Sequence, residues 1–293
     1  MDSICDAESF ENCFRIKFKE NGSTNGGGGT RSKIRGLSKG SRRRLVFLIN
    51  QVPSIEEAFF VTLTMREASE DFKQWKSWLN RIKASLRKSY PLMSGLWRLE
   101  FQKRGTPHFH LLLFPNTNGD LQLLRNKISK YWMNAVGRDN VDLDRGISVE
   151  RIRDMKKSGF YLAIYQAKDE QDRKDIPTGR LWGFINKKNF PVAKYQGSEV
   201  QDFEELIWCK RIYRRYIKAN GACTSSPLFR SLRTRANGFR GFMSRPSQRK
   251  FFALCKTIQK DDYFRFNVEY HGSDYWNWIY PQIIKRYEAR KVA

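Results

Sequence analysis

Between residues 41 and 190 the spacing of apolar positions changes several times, and each change marks an element. From Ser41, read as a helix N-cap, the run RRRLVFLINQV sets Leu45, Leu48, Ile49 and Val52 at helical spacing. FFVTLTM, Phe59 to Met65, then alternates apolar and hydroxyl residues as a strand does. Phe72, Trp75, Leu79, Ile82 and Leu86 form one apolar face of a long helix whose other side carries lysine and arginine. LWRLEF and HFHLLLF read as two strands joined by the turn-rich KRGTP. A helix from Leu121 to about Val136, stopped by Gly137, a strand at Ile147 to Ile152, a helix near Lys156 to Glu170 and a strand RLWGFI complete the segment. The order β-α-β-β-α-β-α-β, with a hairpin in its middle, predicts an α+β domain with helices packed on an antiparallel sheet.

Outside this segment the pattern weakens. NGSTNGGGGTRSK is a polar, glycine-rich tract that reads as a flexible linker. Beyond about Tyr195 basic helices mix arginine with aromatics, as in CKRIYRRYIK and FRGFMSRPSQRKFF. The expected division is therefore an N-terminal segment 1–21, a Gly-rich basic linker 22–40, a domain 41–194 and a basic, mainly helical accessory region 195–293. No GxxxxGK[ST] spacing occurs, which argues against ATP-driven helicase work by this chain.

Charge adds a partner class. Lysine and arginine number 55 against 30 acidic residues, a formal net charge of +25 over 293 residues, so a polyanion is the first partner to consider. The cluster Arg31, Lys33, Arg35, Lys39, Arg42, Arg43 and Arg44 contains no acid and suits neutralisation of a phosphate backbone. Lys210, Arg211, Arg214 and Arg215 are expected to extend that surface. No apolar stretch approaches the roughly 20 residues that span a bilayer, and MDSICDAESF lacks the order of a secretory signal, so a soluble, cytoplasmic protein is expected. The five cysteines, Cys5, Cys13, Cys209, Cys223 and Cys255, include no CxxC pair and suggest neither a disulfide framework nor a zinc finger.

The candidate chemistry starts from the histidines, of which the chain has three. His108 and His110 are two apart on a strand and project to one face, while Phe109, Leu111 and Leu113 point to the other. On the preceding strand Trp97, Leu99 and Phe101 form the apolar set and Arg98, Glu100 and Gln102 the polar one. Setting Phe101 opposite Phe109 places Glu100 opposite His110. Two imidazoles and a carboxylate then suit a divalent cation, Mn2+ or Mg2+ for phosphate chemistry, with zinc not excluded. His271, in YHGSDY, has no such company.

GFYLAIYQAKDE puts Tyr161, Tyr165 and Lys168 on one helical stripe. A phenol of pKa near 10 is a weak nucleophile at neutral pH, and an adjacent cation that favours phenolate activates it. Metal patch, tyrosine and lysine together are parts for phosphodiester transesterification.

HFH resembles the HUH motif, YQAK resembles the YxxK motif and FFVTLTM is similar to the upstream strand motif of the HUH endonucleases that start rolling-circle replication. The resemblance covers roughly Ser41 to Phe190, and the motif order is its specific part. It is strongest to replication initiators of bacterial plasmids and of filamentous or small single-stranded DNA phages. It implies a ferredoxin- or RRM-like sheet and a replication initiation protein that nicks and rejoins single-stranded or hairpin origin DNA, leaving a 5′-phosphotyrosine and a free 3′-hydroxyl. His108, His110 and Glu100 would hold the ion. Where related phage initiators carry tandem YxxKYxxK, the first lysine position here is Ile164, so Tyr165 with Lys168 is the intact pair and Tyr165 the expected nucleophile. Tyr161 is left open between second nucleophile and bystander. Host helicase and polymerase are the implied partners.

Thr62 and Thr64, on one side of their strand, are candidates to line the site or contact a phosphate. Arg180 and Trp182 in GRLWG are candidates to hold a phosphate and stack a base. Competing functions are an HUH transposase or relaxase, distinguished by the DNA it acts on, and a non-catalytic nucleic-acid binder on the same type of sheet, distinguished by the absence of a covalent adduct.

Overall fold

The computed structural model describes residues 4–19, 36–53, 58–67, 71–102, 105–115, 120–142, 146–152, 178–195, 203–221, 232 and 238–257. The described chain is α+β, with two antiparallel sheets and five helices. It divides into two compact units, Gly28–Val192 and Met1–Gly27 with Ala193–Ala293.

Strands β1 (Ile4–Ser9) and β2 (Cys13–Lys19) come first in the chain and belong to the second unit. In the first unit the elements are α1 (Lys39–Ile49), β3 (Ala58–Thr64), α2 (Phe72–Ser89), β4 (Ser94–Phe101), β5 (Pro107–Phe114), α3 (Leu121–Val136), β6 (Ile147–Ile152) and β7 (Trp182–Ile185). Its five strands pair antiparallel in the order β6-β3-β5-β4-β7.

Local chemistry sets the helix boundaries. Asp71 and Asp120 cap α2 and α3 by accepting from Lys73 N (2.9 Å) and Gln122 N (2.7 Å). Gly137, at φ 95°, ends α3 as expected. The cap of α1 is Ser38, not Ser41: Ser38 Oγ accepts from Ser41 N at 3.1 Å. The helix begins almost one turn earlier than expected because Lys39 and Gly40 can enter it, and it stops before Val52.

Both sheet faces are used, and they differ. On one, Trp75, Trp78, Leu79, Ile82 and Leu86 of α2 and Leu124, Ile128 and Trp132 of α3 pack on Phe59, Val61, Leu63, Trp97, Leu99, Phe101, Phe109, Leu111 and Leu113. Trp132 donates its indole N–H to Thr64 O at 2.9 Å, tying α3 to the end of β3. The other face is split along the strands. One half, Ala58, Leu96, Leu112 and Phe114, packs with Leu45 and Ile49 of α1 and with Phe190. The other half carries Thr62, Thr64, Arg98, Glu100, His108 and His110.

The expected hairpin register is corrected. Glu100 lies opposite His108, Arg98 opposite His110 and Phe101 opposite Pro107. Gly105, at φ 85°, donates its N–H to Gln102 O, and Gln102 N donates to Thr106 O, so the chain reverses sooner than the Phe101–Phe109 alignment required. The offset is two residues, so every side chain keeps its face.

The second unit brings together residues far apart in the chain. Strand β1 pairs with β2, and β2 pairs with β8 (Phe239–Phe242). Thus Ile4–Lys19, within the expected segment 1–21, shares a sheet with Phe239–Phe242 from beyond 195. Helices α4 (Phe203–Ala219) and α5 (Arg245–Thr257) are the expected basic helices, whereas FRGF is a strand. Phe14, Tyr213, Phe239, Phe251 and Phe252 form an aromatic core with centroid separations of 5.0–6.2 Å. Lys210 is buried, so it does not extend the basic surface. Cys13, Cys209 and Cys255 are buried free thiols. No helix among the described residues is long and apolar enough to cross a membrane.

Candidate metal centre

Three side chains from adjacent strands meet on the polar half-face. Glu100 Oε2 lies 3.2 Å from His110 Nε2 and 3.7 Å from His108 Nε2. The two imidazole centroids are 4.5 Å apart at 68°. One ligand atom from each residue falls within 4.8 Å of the others, and this is the group able to hold a metal ion among the described residues. Donors about 2.1 Å from a single ion stand roughly 3–3.5 Å from each other, so the Glu100–His110 spacing already suits one small divalent cation and His108 needs only a small approach.

The surroundings support the same fit. Glu100 and His110 are almost fully buried, and His108 is partly so. Among the described residues, Glu100 Oε1 and His108 Nε2 are buried atoms with no hydrogen bond, a costly state that an ion relieves. Burial pushes the Glu100 carboxyl pKa upward, but the adjacent His108 and His110 rings and, less strongly, Arg98 outweigh it and hold the group at about 2. Burial lowers the His110 pKa, partly opposed by Glu100, a direction that favours the neutral ring, the form that binds metal.

Positioning comes from the sheet itself. Thr62, opposite His110 in register, places Oγ1 3.1 Å from His110 Nδ1. Phe60 stacks on the same ring, with centroids 5.2 Å apart at 18°. When Nε2 faces an ion the proton resides on Nδ1, and Thr62 is its acceptor. Thr64 lies opposite His108 and is buried.

Sequence reasoning left one participant unassigned. Arg98 is fully buried on the same face, its Nε 3.8 Å from Glu100 Oε1 and its Nη1 donating to Leu99 O at 2.7 Å. Its position two residues before Glu100 on one strand was the available signal.

The other candidates are not all brought here. Tyr161, Tyr165, Lys168, Arg31, Lys33, Arg35 and His271 lie outside the described residues. Arg43 and Arg44 are exposed on α1, Arg44 bonding Ser41 Oγ at 3.0 Å, and Arg42 reaches Leu37 O at 3.5 Å. Arg180 is exposed just before β7, while Trp182 is half-buried and packs against both cores.

Comparison with known proteins bears on the segment that carries the triad. Residues 58–170 match the family of the replication-associated proteins of the ORF2 and gene 2 protein type. By that segment the chain is similar to these replication-associated proteins. One curated relative is the replication-associated protein, the gene 2 protein, of Pseudomonas phage Pf3, 27% identical over 213 residues that cover 68% of this chain and 74% of that protein. No solved structure matches the chain.

Proposed function

We propose that the chain nicks and rejoins single-stranded or hairpin origin DNA by metal-assisted tyrosine transesterification. The observation that carries this reading is the convergence of His108, His110 and Glu100 within the segment that matches the replication-associated family. In this reading Gly28–Val192 is the catalytic unit, an HUH-type, ferredoxin-like sheet answering to the expected 41–194 domain. The region 195–293 serves as a basic accessory.

His108, His110 and Glu100 hold a divalent ion, Mn2+ or Mg2+, whose charge would stabilise the phosphate oxygens during transfer. Thr62 and Phe60 fix the plane of the His110 ring, and Arg98, its Nε 3.8 Å from Glu100 Oε1, adds positive charge beside the carboxylate. Tyr165 is the nucleophile, with the Lys168 ammonium favouring its phenolate. The phenolate oxygen bonds to the scissile phosphorus, and the P–O3′ bond breaks. The 3′ oxygen leaves with the bonding pair, takes a proton and becomes the primer hydroxyl. The phosphodiester is exchanged rather than hydrolysed, so attack by a 3′-hydroxyl reverses the step without ATP. Thr64, Arg180 and Arg42, Arg43 and Arg44 are assigned to backbone contacts.

The test is incubation of the full chain with a single-stranded origin oligonucleotide and Mn2+, read as a covalent protein–DNA band. The band is expected to disappear in Tyr165→Phe. Tight binding with no band in the parent protein would favour the non-catalytic binder.

A further inference from the structure

On the sheet face opposite the triad, α2 and the edge strand β7 gather cations around one indole. Lys76 Nζ lies 4.8 Å and Lys83 Nζ 5.9 Å from the centroid of the Trp97 ring. Lys76 Nζ also donates to the backbone oxygen of Arg180. Trp97 is buried and wedged against Gly183, where a Cβ would meet its Nε1 at 2.9 Å, so the ring is a fixed platform and not a surface on which bases stack.

The cluster holds its charges at a cost. Among the described residues no carboxylate pairs with Lys76, Lys83 or Arg180. Burial, then Arg98, Lys83 and Arg180, bring the Lys76 ammonium down to about 7, and burial with Arg87 and Arg180 lowers Lys83 too. Lys76 and Lys83, seven residues apart on α2, meet the same ring beside Arg180. Like charges crowded without a counter-ion are what a site built for an anion looks like before the anion binds.

We propose that Lys76, Lys83 and Arg180 form a metal-independent subsite for the phosphodiester backbone of a DNA strand running along the β7 edge. The choice of DNA as the polyanion rests on the function proposed above; the anion subsite itself does not. Arg180 directly precedes Leu181, whose carbonyl accepts from Leu99 N, so the subsite begins at the end of the sheet where Glu100 stands. A strand held there continues toward the triad around the sheet edge. The contact is to backbone and carries no base preference.

The experiment measures binding of a fluorescent single-stranded oligonucleotide to the full chain in EDTA, across a salt series, with thermal melting in parallel. Lys76→Gln with Lys83→Gln is expected to weaken binding about tenfold for any sequence and to reduce the slope of log K on log salt by about 1.4, since each phosphate neutralised on a single strand contributes about 0.7. Lys76→Met is expected to raise the Tm while weakening binding, because it removes a crowded charge. Unchanged affinity and slope in the double variant overturn the proposal. So does a Tm loss in Lys76→Met with DNA binding intact, the mark of a structural lysine. Inorganic phosphate displacing the oligonucleotide at equal phosphate concentration assigns the site to small anions and overturns the backbone reading. EDTA abolishes metal-dependent nicking, so the subsite is scored separately from catalysis: a parent chain that binds but never forms an adduct sinks the proposed function alone.

Discussion

Replacing Thr62 by Val isolates the orientation of one imidazole. Valine has nearly the same shape and keeps β3 in place, but it removes the hydroxyl oxygen that the structure sets 3.1 Å from His110 Nδ1. Nδ1–H then loses its acceptor in a buried site, which costs about 1–3 kcal/mol. The ring has a cheaper alternative: it moves the proton to Nε2 and donates to Glu100 Oε2, 3.2 Å away, turning the ligand lone pair away from the ion. Either route lowers metal affinity, and loss of such an orienting partner typically costs about 10–100-fold, or about 1.4–2.8 kcal/mol. The assay is calorimetric titration of the EDTA-treated full chain with Mn2+, with Thr62→Ser as the variant that restores the hydroxyl. Thr62→Val binding Mn2+ as tightly as the parent, at an unchanged melting temperature, would refute the reasoning.

Glu8 provides a pH test in the second unit. Burial raises its pKa, but Lys194, Arg15 and Lys17 bond to it and bring it to about 2, below the ordinary 4.5. A depressed carboxyl stabilises the fold above about 4.5 and loses that contribution as pH falls toward 2. Glu8→Gln should therefore lower stability by about 1–2 kcal/mol at pH 7, after allowance for the solvent-screened lysines, with the difference shrinking as pH falls and vanishing only below the folded pKa of about 2, in thermal melts. Gly95→Ala would drive a Cβ into the backbone oxygen of Leu112, so it should disrupt β4–β5 pairing and cost more than about 2 kcal/mol in urea unfolding. Trp132→Phe removes the donor to Thr64 O and part of a fully buried side chain, with an expected loss of about 2–3 kcal/mol by the same method.

Much of the first unit was legible because side-chain period reports which face a residue takes. The α2 stripe and the alternation in β3, β4 and β5 sort residues correctly, and His108, His110 and Glu100 do share a face. Period is blind to a two-residue shift, so the register of Glu100 depended on the turn, where Gly105 decided it. The N-cap of α1 was misplaced for a similar reason: Ser38 and Ser41 are both good caps, and local pattern does not choose between them. Burial of Arg98 was hidden, since an arginine in a polar alternation reads as solvent-facing until its partner is known. In the second unit Phe14 and Ile16 alternate with Arg15 and Lys17, the period-2 signal of a strand. Its pairing with β8 joins residues more than 200 positions apart, which no local pattern reports.

The central claim is that the His108, His110 and Glu100 triad holds an ion on which a tyrosine-mediated cut of DNA depends. Its most direct test is the residue-level mapping, by mass spectrometry, of DNA covalently attached to the full chain, with Mn2+ or EDTA, in the parent and in His108→Ala with His110→Ala. The expected result is a nucleotide on Tyr165, formed by the parent with Mn2+ and absent both in EDTA and in the histidine variant. An adduct of equal yield in EDTA, or in the histidine variant, would contradict the account.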